Sequence, residues 1–330
     1  MDNSKDGIVL LAKQPGPTSF SCLFDVKHAL NTTKAGHTGT LDSFAQGLLV
    51  VCTGRLTRLA GNIIELDKSY EAIIKFGEET DTLEPLGNVI LQKKLPSLEN
   101  LKSAVQKYTC TYNQKPPVFS SIHIDGKRAS DLVRQGSEIE MKSRAVTVYS
   151  AEIIDVKLNS DNLVEYAKIA FSVSKGTYIR SLARDIAYAC DSAAHLVGLY
   201  RTRIGNFYIQ DAAGYSRLEE FTFENALKNA NASLSLKNQD SEEIQKEIIS
   251  KKQTFTKESA VLCGFYNMNL LSEEFADNFR NGRPIKNRYF DVDLYKIPVD
   301  TICSVFYMEE FCGLLYKNHE GRISYKFVIN

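Results

Sequence analysis

A glycine-punctuated loop that runs straight into an apolar stretch limits this chain more than any other feature. The loop is Gly36-His37-Thr38-Gly39-Thr40-Leu41-Asp42, continued by Ser43-Phe44-Ala45-Gln46-Gly47, and the stretch is Leu48-Leu49-Val50-Val51-Cys52. Glycines and threonines give a tight, hydrogen-bonded backbone, and an apolar run of that length reads as a buried strand. Any fold of this chain must therefore hold one carboxylate, Asp42, rigidly at a loop–strand junction. A carboxylate fixed in that way is a candidate nucleophile or general base, although a solitary turn aspartate more often closes an Asx turn.

Around this junction the patterning predicts a mixed fold. Ile8-Val9-Leu10-Leu11 reads as a strand, stopped by Gln14-Pro15-Gly16-Pro17, which no helix could pass. Thr18 or Ser19 is placed to cap a helix carrying Phe20, Leu23, Phe24 and Leu30 on one side. A strand is expected over 70–76 and a helix over 98–108. Residues 144–156 and 163–173 pattern as paired strands about an Asn-Ser-Asp-Asn turn. Ile179, Leu182, Ala183, Ile186 and Cys190 recur at helical spacing. Strands and helices alternate without a βαβ rhythm, so the expected class is α+β. A large domain is expected over 1–235 and a charged linker or helix over 236–255, with Asp240, Glu242, Glu243 and Lys246 solvated. A small β-rich domain should follow over 256–330.

Composition narrows the function classes. A chain of 330 residues can bury a large core and still carry a small second domain. Lysine plus arginine and aspartate plus glutamate balance at 40 each, so a polyanion site would have to arise from local clustering. The seven cysteines are scattered, odd in number and lack a C-x-x-C pair, which points to a reducing compartment, the cytoplasm. The five histidines form no metal-ligand pattern, and no phosphate-binding glycine fingerprint for a nucleotide cofactor occurs. The apolar run after the acidic amino terminus is too short for a leader or a membrane span.

Three further units carry candidate chemistry. In Ser174-Lys175-Gly176-Thr177-Tyr178-Ile179-Arg180-Ser181-Leu182-Ala183-Arg184-Asp185, a strand leads through a polar turn into the amphipathic helix. The helix start with Lys175 beside it suits an anion. Arg180 and Arg184 are expected on the face opposite the apolar stripe; alone they would read as a solvated basic face. If one of them meets Asp42, it favours the ionised carboxylate that a nucleophile requires. Lys68-Ser69-Tyr70-Glu71 offers a tyrosine that could stack on a base or move a proton, though strand tyrosines are usually core. Gln114-Lys115-Pro116-Pro117-Val118-Phe119-Ser120-Ser121, with Gly126-Lys127-Arg128, could meet a phosphate backbone.

In this order and spacing the units resemble the TruB-type tRNA pseudouridine synthases. The likeness starts at Leu10-Leu11-Ala12-Lys13 and ends at Arg201-Thr202-Arg203-Ile204-Gly205-Asn206-Phe207, passing through Ala194-His195-Leu196. It implies an α+β pseudouridine synthase core, a mixed sheet with a central cleft, followed by a reduced PUA-like RNA-binding domain near Phe279-Arg280-Asn281-Gly282. The implied activity is isomerisation of uridine to pseudouridine at position 55, in the T loop of tRNA, without cofactor or metal. Carried over residue by residue, Asp42 is the catalytic aspartate, Tyr70 the tyrosine that stacks on the uracil, and Arg180 the arginine paired with the aspartate. His37 helps displace loop bases, Leu199 packs under the site, Lys175 and Tyr178 bind substrate, and Lys13 is structural. The chain departs from the family pattern at Gln14, Ser43, Val173 and Tyr200, the last removing a positive charge. The expected partner is the tRNA T stem-loop, met by a monomer without a membrane or an obligatory protein partner. A binding-only relative and a guide-RNA-dependent relative are the competing readings.

Overall fold

The computed structural model of the chain describes residues 5–120, 123–124, 127–128, 139, 141–231 and 241–329. Its strands are β1 (Gly7–Lys13), β2 (Ala35–His37), β3 (Gln46–Thr53), β4 (Lys68–Phe76), β5 (Glu78–Thr80), β6 (Val89–Gln92), β7 (Thr111–Gln114), β8 (His123–Ile124), β9 (Lys127–Arg128), β10 (Arg144–Leu158), β11 (Val164–Val173), β12 (Ala194–Ile204) and β13 (Phe207–Tyr208), then β14 (Tyr266–Asn269), β15 (Thr301–Tyr307), β16 (Glu310–Lys317) and β17 (Ile323–Val328). A nine-stranded sheet runs in the order β1-β3-β12-β4-β11-β10-β7, with β2 on β3 and β13 on β12. Its pairings are antiparallel except β3 with β12. The class is α+β, as the patterning predicts.

Strand alternation explains how the β1 end of the sheet is sealed. On β1 and β3, Ile8, Leu10, Leu48, Val50 and Cys52 face one cluster. Val9, Leu11, Leu49 and Val51 face another, as a period of two requires. Both strands are buried throughout, so both faces must be covered. One cover is the carboxy-terminal part of the chain: Phe255, Phe265, Phe306, Phe311 and Leu314 share the core of Leu10 and Leu48. The four-stranded sheet β14-β15-β16-β17 is thus packed onto the large sheet. The charged segment forms the helix Ser241–Lys251, whose Ile244 and Ile248 bury against Val9, Leu23 and Val26.

Helices Leu98–Lys107 and Ile179–Ala189 cover the other half of the sheet through Leu101, Val105, Ile179, Leu182 and Ile186. Two sequence expectations fail near the amino terminus. The first helix is Leu23–Ala29, and its cap, Cys22, makes no side-chain bond, so neither Thr18 nor Ser19 caps it. Of its expected apolar side, Leu23 is buried while Phe20 and Phe24 lie exposed. Ser19 fails as a cap because another loop uses its hydroxyl. Ser121 and Gly126 fall outside the described residues, and Lys127-Arg128 forms β9 against β8.

Candidate active site

The backbone on either side of Asp42 is fixed by three buried side chains. Ser19 Oγ accepts from Leu41 N–H at 2.8 Å and donates to the Leu41 carbonyl at 3.1 Å. Lys13 Nζ donates to the carbonyls of Ala45 (2.6 Å), Gln14 (3.1 Å) and Ser43 (3.2 Å). Burial pulls the Lys13 pKa down to about 8, and Asp42 acts in the opposite sense. Arg201, 1% exposed, spans the loop: Nε donates to Leu48 O at 2.8 Å, Nη2 to Gly39 O at 3.1 Å and Nη1 to Thr40 O at 3.3 Å. A planar fork suits three carbonyls pointing at one place. Gly47 makes this approach possible. Its φ is +120°, and a Cβ there would lie 2.3 Å from the Arg201 carbonyl oxygen, so only glycine fits.

Arg180 then meets Asp42 from the first turn of the helix Ile179–Ala189. Its Nε lies 3.1 Å from Asp42 Oδ2, and Nη2 donates to Oδ1 at 3.2 Å. The same guanidinium donates to the Glu84 carboxylate, to Thr82 O at 3.0 Å and to Phe119 O at 3.0 Å. The Arg180 side chain is 5% exposed and that of Asp42 27%. The cation is therefore sealed in while the carboxylate opens outward. Two-pronged contact to a carboxylate fixes its orientation as well as its charge. Arg180 thus pairs with Asp42, as the resemblance implies, and Arg184 pairs with Asp185 at 2.7 Å and donates to Lys115 O.

Asp42 opens into a cleft of about 420 Å³ that Tyr70, Leu199, Ile64, Phe119 and Tyr178 also line, within the usual size of ligand sites. Strand register accounts for the grouping. Leu199 and Arg201 are two apart on β12, and they pair with Ala72 and Tyr70 of β4. Side chains two apart share a face, so the register sets Tyr70 beside Arg201. At the far wall the Arg144 guanidinium sits over the Tyr178 ring, 5.0 Å from its centroid. Lys68, whose burial lowers its pKa to about 8, also lines the cleft.

Asp42, Tyr70, Arg180, Leu199 and Tyr178 thus come together in one cleft. Lys175 and His37 do not line it. Lys175 forms an ion pair with Glu65, and Tyr178 N–H donates to Gln114 Oε1 at 2.8 Å, so both of these candidate anion donors already have partners. His37 lies half-buried on β2 opposite Val51, and burial lowers its pKa, favouring the neutral ring. Its Nδ1 has no partner. Tyr200, where the family carries an arginine, points to the other face of β12 and packs on Phe221 with ring centroids 5.5 Å apart. Arg201 and Glu84 are the residues that sequence reasoning passed over. The signal for Arg201 was a charge two residues after Leu199 on the same strand; Glu84 offered none.

Residues 27–179 match the family described as TruB family pseudouridylate synthase (N terminal domain). A tRNA pseudouridine synthase B of Treponema denticola is 39% identical over 315 residues, covering 88% of this chain and 87% of that protein. One of Borreliella burgdorferi is 42% identical over 209 residues, 63% of this chain and 73% of that protein. Among solved structures, a Cbf5-Nop10-Gar1 complex contains a chain with the same fold. Its TM-score is 0.67 at 19% identity, covering 99% of this chain and 85% of that one.

Proposed function

The chain belongs to the TruB family of pseudouridylate synthases, and from that footing we propose that Asp42 is the nucleophile with which it isomerises uridine 55 in the T loop of tRNA. It is a tRNA pseudouridine synthase, an isomerase that converts uridine to pseudouridine. The reaction breaks an N-glycosidic bond, turns the base over and joins ribose to carbon, with no net redox change. It therefore calls for a carboxylate, a surface for the detached uracil and a flipped-out nucleotide, and for no cofactor. The observation that carries this reading is the Asp42 carboxylate, clamped by sealed Arg180 yet open to the cleft. Tyr70 and Leu199 offer the uracil an aromatic and an apolar wall. Arg180 positions the nucleophile, and the Arg144–Tyr178 pair suits the nucleotide's own phosphate and sugar.

The same proposal assigns catalysis to residues 1–235, joins them through 236–255, and gives 256–330 a role in holding the rest of the tRNA. Acting in this way the protein works as a monomer in the cytoplasm without a protein partner. Among the described residues no helix is long and apolar enough to cross a membrane.

Replacing Asp42 by Asn tests the reading. Tritium release from 5-tritiated uridine in a tRNA transcript should fall at least roughly a thousandfold, while the affinity for the transcript changes little. A transcript with cytidine at position 55 should release no tritium with the unaltered protein. Turnover by Asp42→Asn within tenfold of normal overturns the nucleophile assignment; release from the cytidine-55 transcript overturns the position.

A further inference from the structure

The first helix presents two apolar faces, and the core takes only one. Leu23 and Val26 bury against Val9, Leu11 and Leu49. Phe24 on the helix and Phe20 in the turn just before it stand 66% and 73% exposed. The chain has 17 phenylalanines, and these two are the only ones left exposed among the described residues. A phenylalanine offers nothing but an apolar ring, so a pair of them side by side in water marks a surface that something else covers.

Two observations say what that is. One ring meets a cation and the other a second flat ring: Lys27 Nζ lies 5.8 Å from the Phe20 centroid, and the His28 ring stacks on Phe24 at 6.1 Å and 29°. Asp25 is the one acid of this helix. Flat rings set beside a lysine match unpaired nucleotides, whose flat bases alternate with phosphates. The second observation is continuity with the cleft. Ser19, immediately before Phe20, is bonded through its hydroxyl to Leu41, and Gly16 N–H donates to Ser43 O at 2.8 Å. The segment bearing Phe20 is thus strapped to the three residues centred on Asp42.

We propose that Phe20 and Phe24, flanked by Lys27 and His28, form a stacking platform for unpaired bases of the substrate RNA next to the uridine that enters the cleft. The proposal rests on the reading of the preceding section and adds to it a binding surface outside the catalytic cleft. Extruding one nucleotide from a loop leaves its neighbours unstacked, and an aromatic surface beside the cleft would receive them. Stacking of a base on an aromatic side chain is worth about 1–3 kcal/mol, or roughly 5- to 150-fold in affinity per base.

The test measures Kd by fluorescence anisotropy, at one fixed salt concentration, for a T-arm stem-loop and for copies with an abasic nucleotide on either side of the target uridine. The proteins are the unaltered chain, Phe20→Ala/Phe24→Ala, Phe20→Trp/Phe24→Trp, and Ile154→Ser as an exposed apolar control on β10, toward the opposite edge of the large sheet from β1. The alanine pair should weaken binding roughly 10- to 100-fold, the tryptophan pair should restore it, and the control should match the unaltered chain. An abasic neighbour should cost the unaltered chain affinity and cost the alanine pair almost none. An alanine pair that binds within twofold of the unaltered chain overturns the platform. So does equal loss in the control, or a full abasic penalty in the alanine pair. Intact RNA affinity with loss of self-association in sedimentation would make the patch a protein interface, and also overturns it. Failure of the unaltered chain to bind or isomerise the RNA would instead bring down the preceding reading.

Discussion

Arg201→Lys isolates what the guanidinium fork contributes, because the charge stays and only the geometry goes. In the native chain the fork reaches three carbonyls, those of Leu48, Gly39 and Thr40 at 2.8–3.3 Å. A lysine ammonium at the end of a four-carbon stem can keep one of these, and two charge-assisted bonds are lost. At roughly 1.5–3 kcal/mol each, the loss is about 3–6 kcal/mol, taken from a total stability of about 5–15 kcal/mol. With roughly 2–4 °C per kcal/mol for a large domain, the melting temperature should fall by about 6–24 °C in calorimetry. Activity should fall further than stability alone explains, because Gly39 and Thr40 set the direction in which Asp42 leaves the loop. Tritium release measured well below the lowered melting temperature should therefore still be reduced, chiefly in kcat. A variant that melts within about 3 °C of the native chain with unchanged kcat would show that Lys13 and Ser19 hold the loop unaided, and the fork argument would be wrong.

Two other perturbations bear on the same loop. Gly47→Ala should destabilise the chain by about 3–5 kcal/mol, since its Cβ would meet Arg201 backbone at 2.3 Å on a φ that L side chains rarely adopt; urea unfolding reads this directly, and a cost under about 1 kcal/mol would refute the close approach. Lys13, with its pKa lowered from 10.5 to about 8, binds its proton less tightly folded than unfolded. Its linked contribution to stability is therefore present above pH 10.5 and lost as pH falls through about 8. Relative to Lys13→Met, the native chain should gain up to about 3 kcal/mol between pH 8 and 10.5; parallel stability profiles would refute the burial of that ammonium.

What the sequence told of this site, and what it hid, divides along one physical line. Elements whose signal is local could be read: the buried strand after the glycine loop, the paired strands β10 and β11, and the helix beginning at Ile179. The residues gathered in the cleft were legible only through the order of several units, since no local pattern relates Asp42 to Arg180. The first helix was misread for the same reason. Its periodicity is genuine, but a period reports that faces differ and not which face the core will take. Ser19 has the chemistry of a cap, yet its hydroxyl is claimed by Leu41, 22 positions away.

Arg201 is the extreme case. Its three carbonyl partners lie 153 to 162 positions earlier in the chain, and directly after the largely apolar run 196–200 its charge reads as an anomaly. The anomaly is the signal. Burying a guanidinium is costly unless each donor finds a partner, and a loop with several carbonyls turned inward supplies such partners. The glycines of the 36–47 loop turn them inward: Gly39 and Gly47 both adopt positive φ. Loop and arginine therefore require one another. Without the fork the inward carbonyls would be unsatisfied, and without the glycines the fork would be an unpaired buried charge. This mutual requirement is what aims the Asp42 carboxylate at the cleft, and it means that the stability of β12 and the geometry of the reaction cannot be altered independently at position 201.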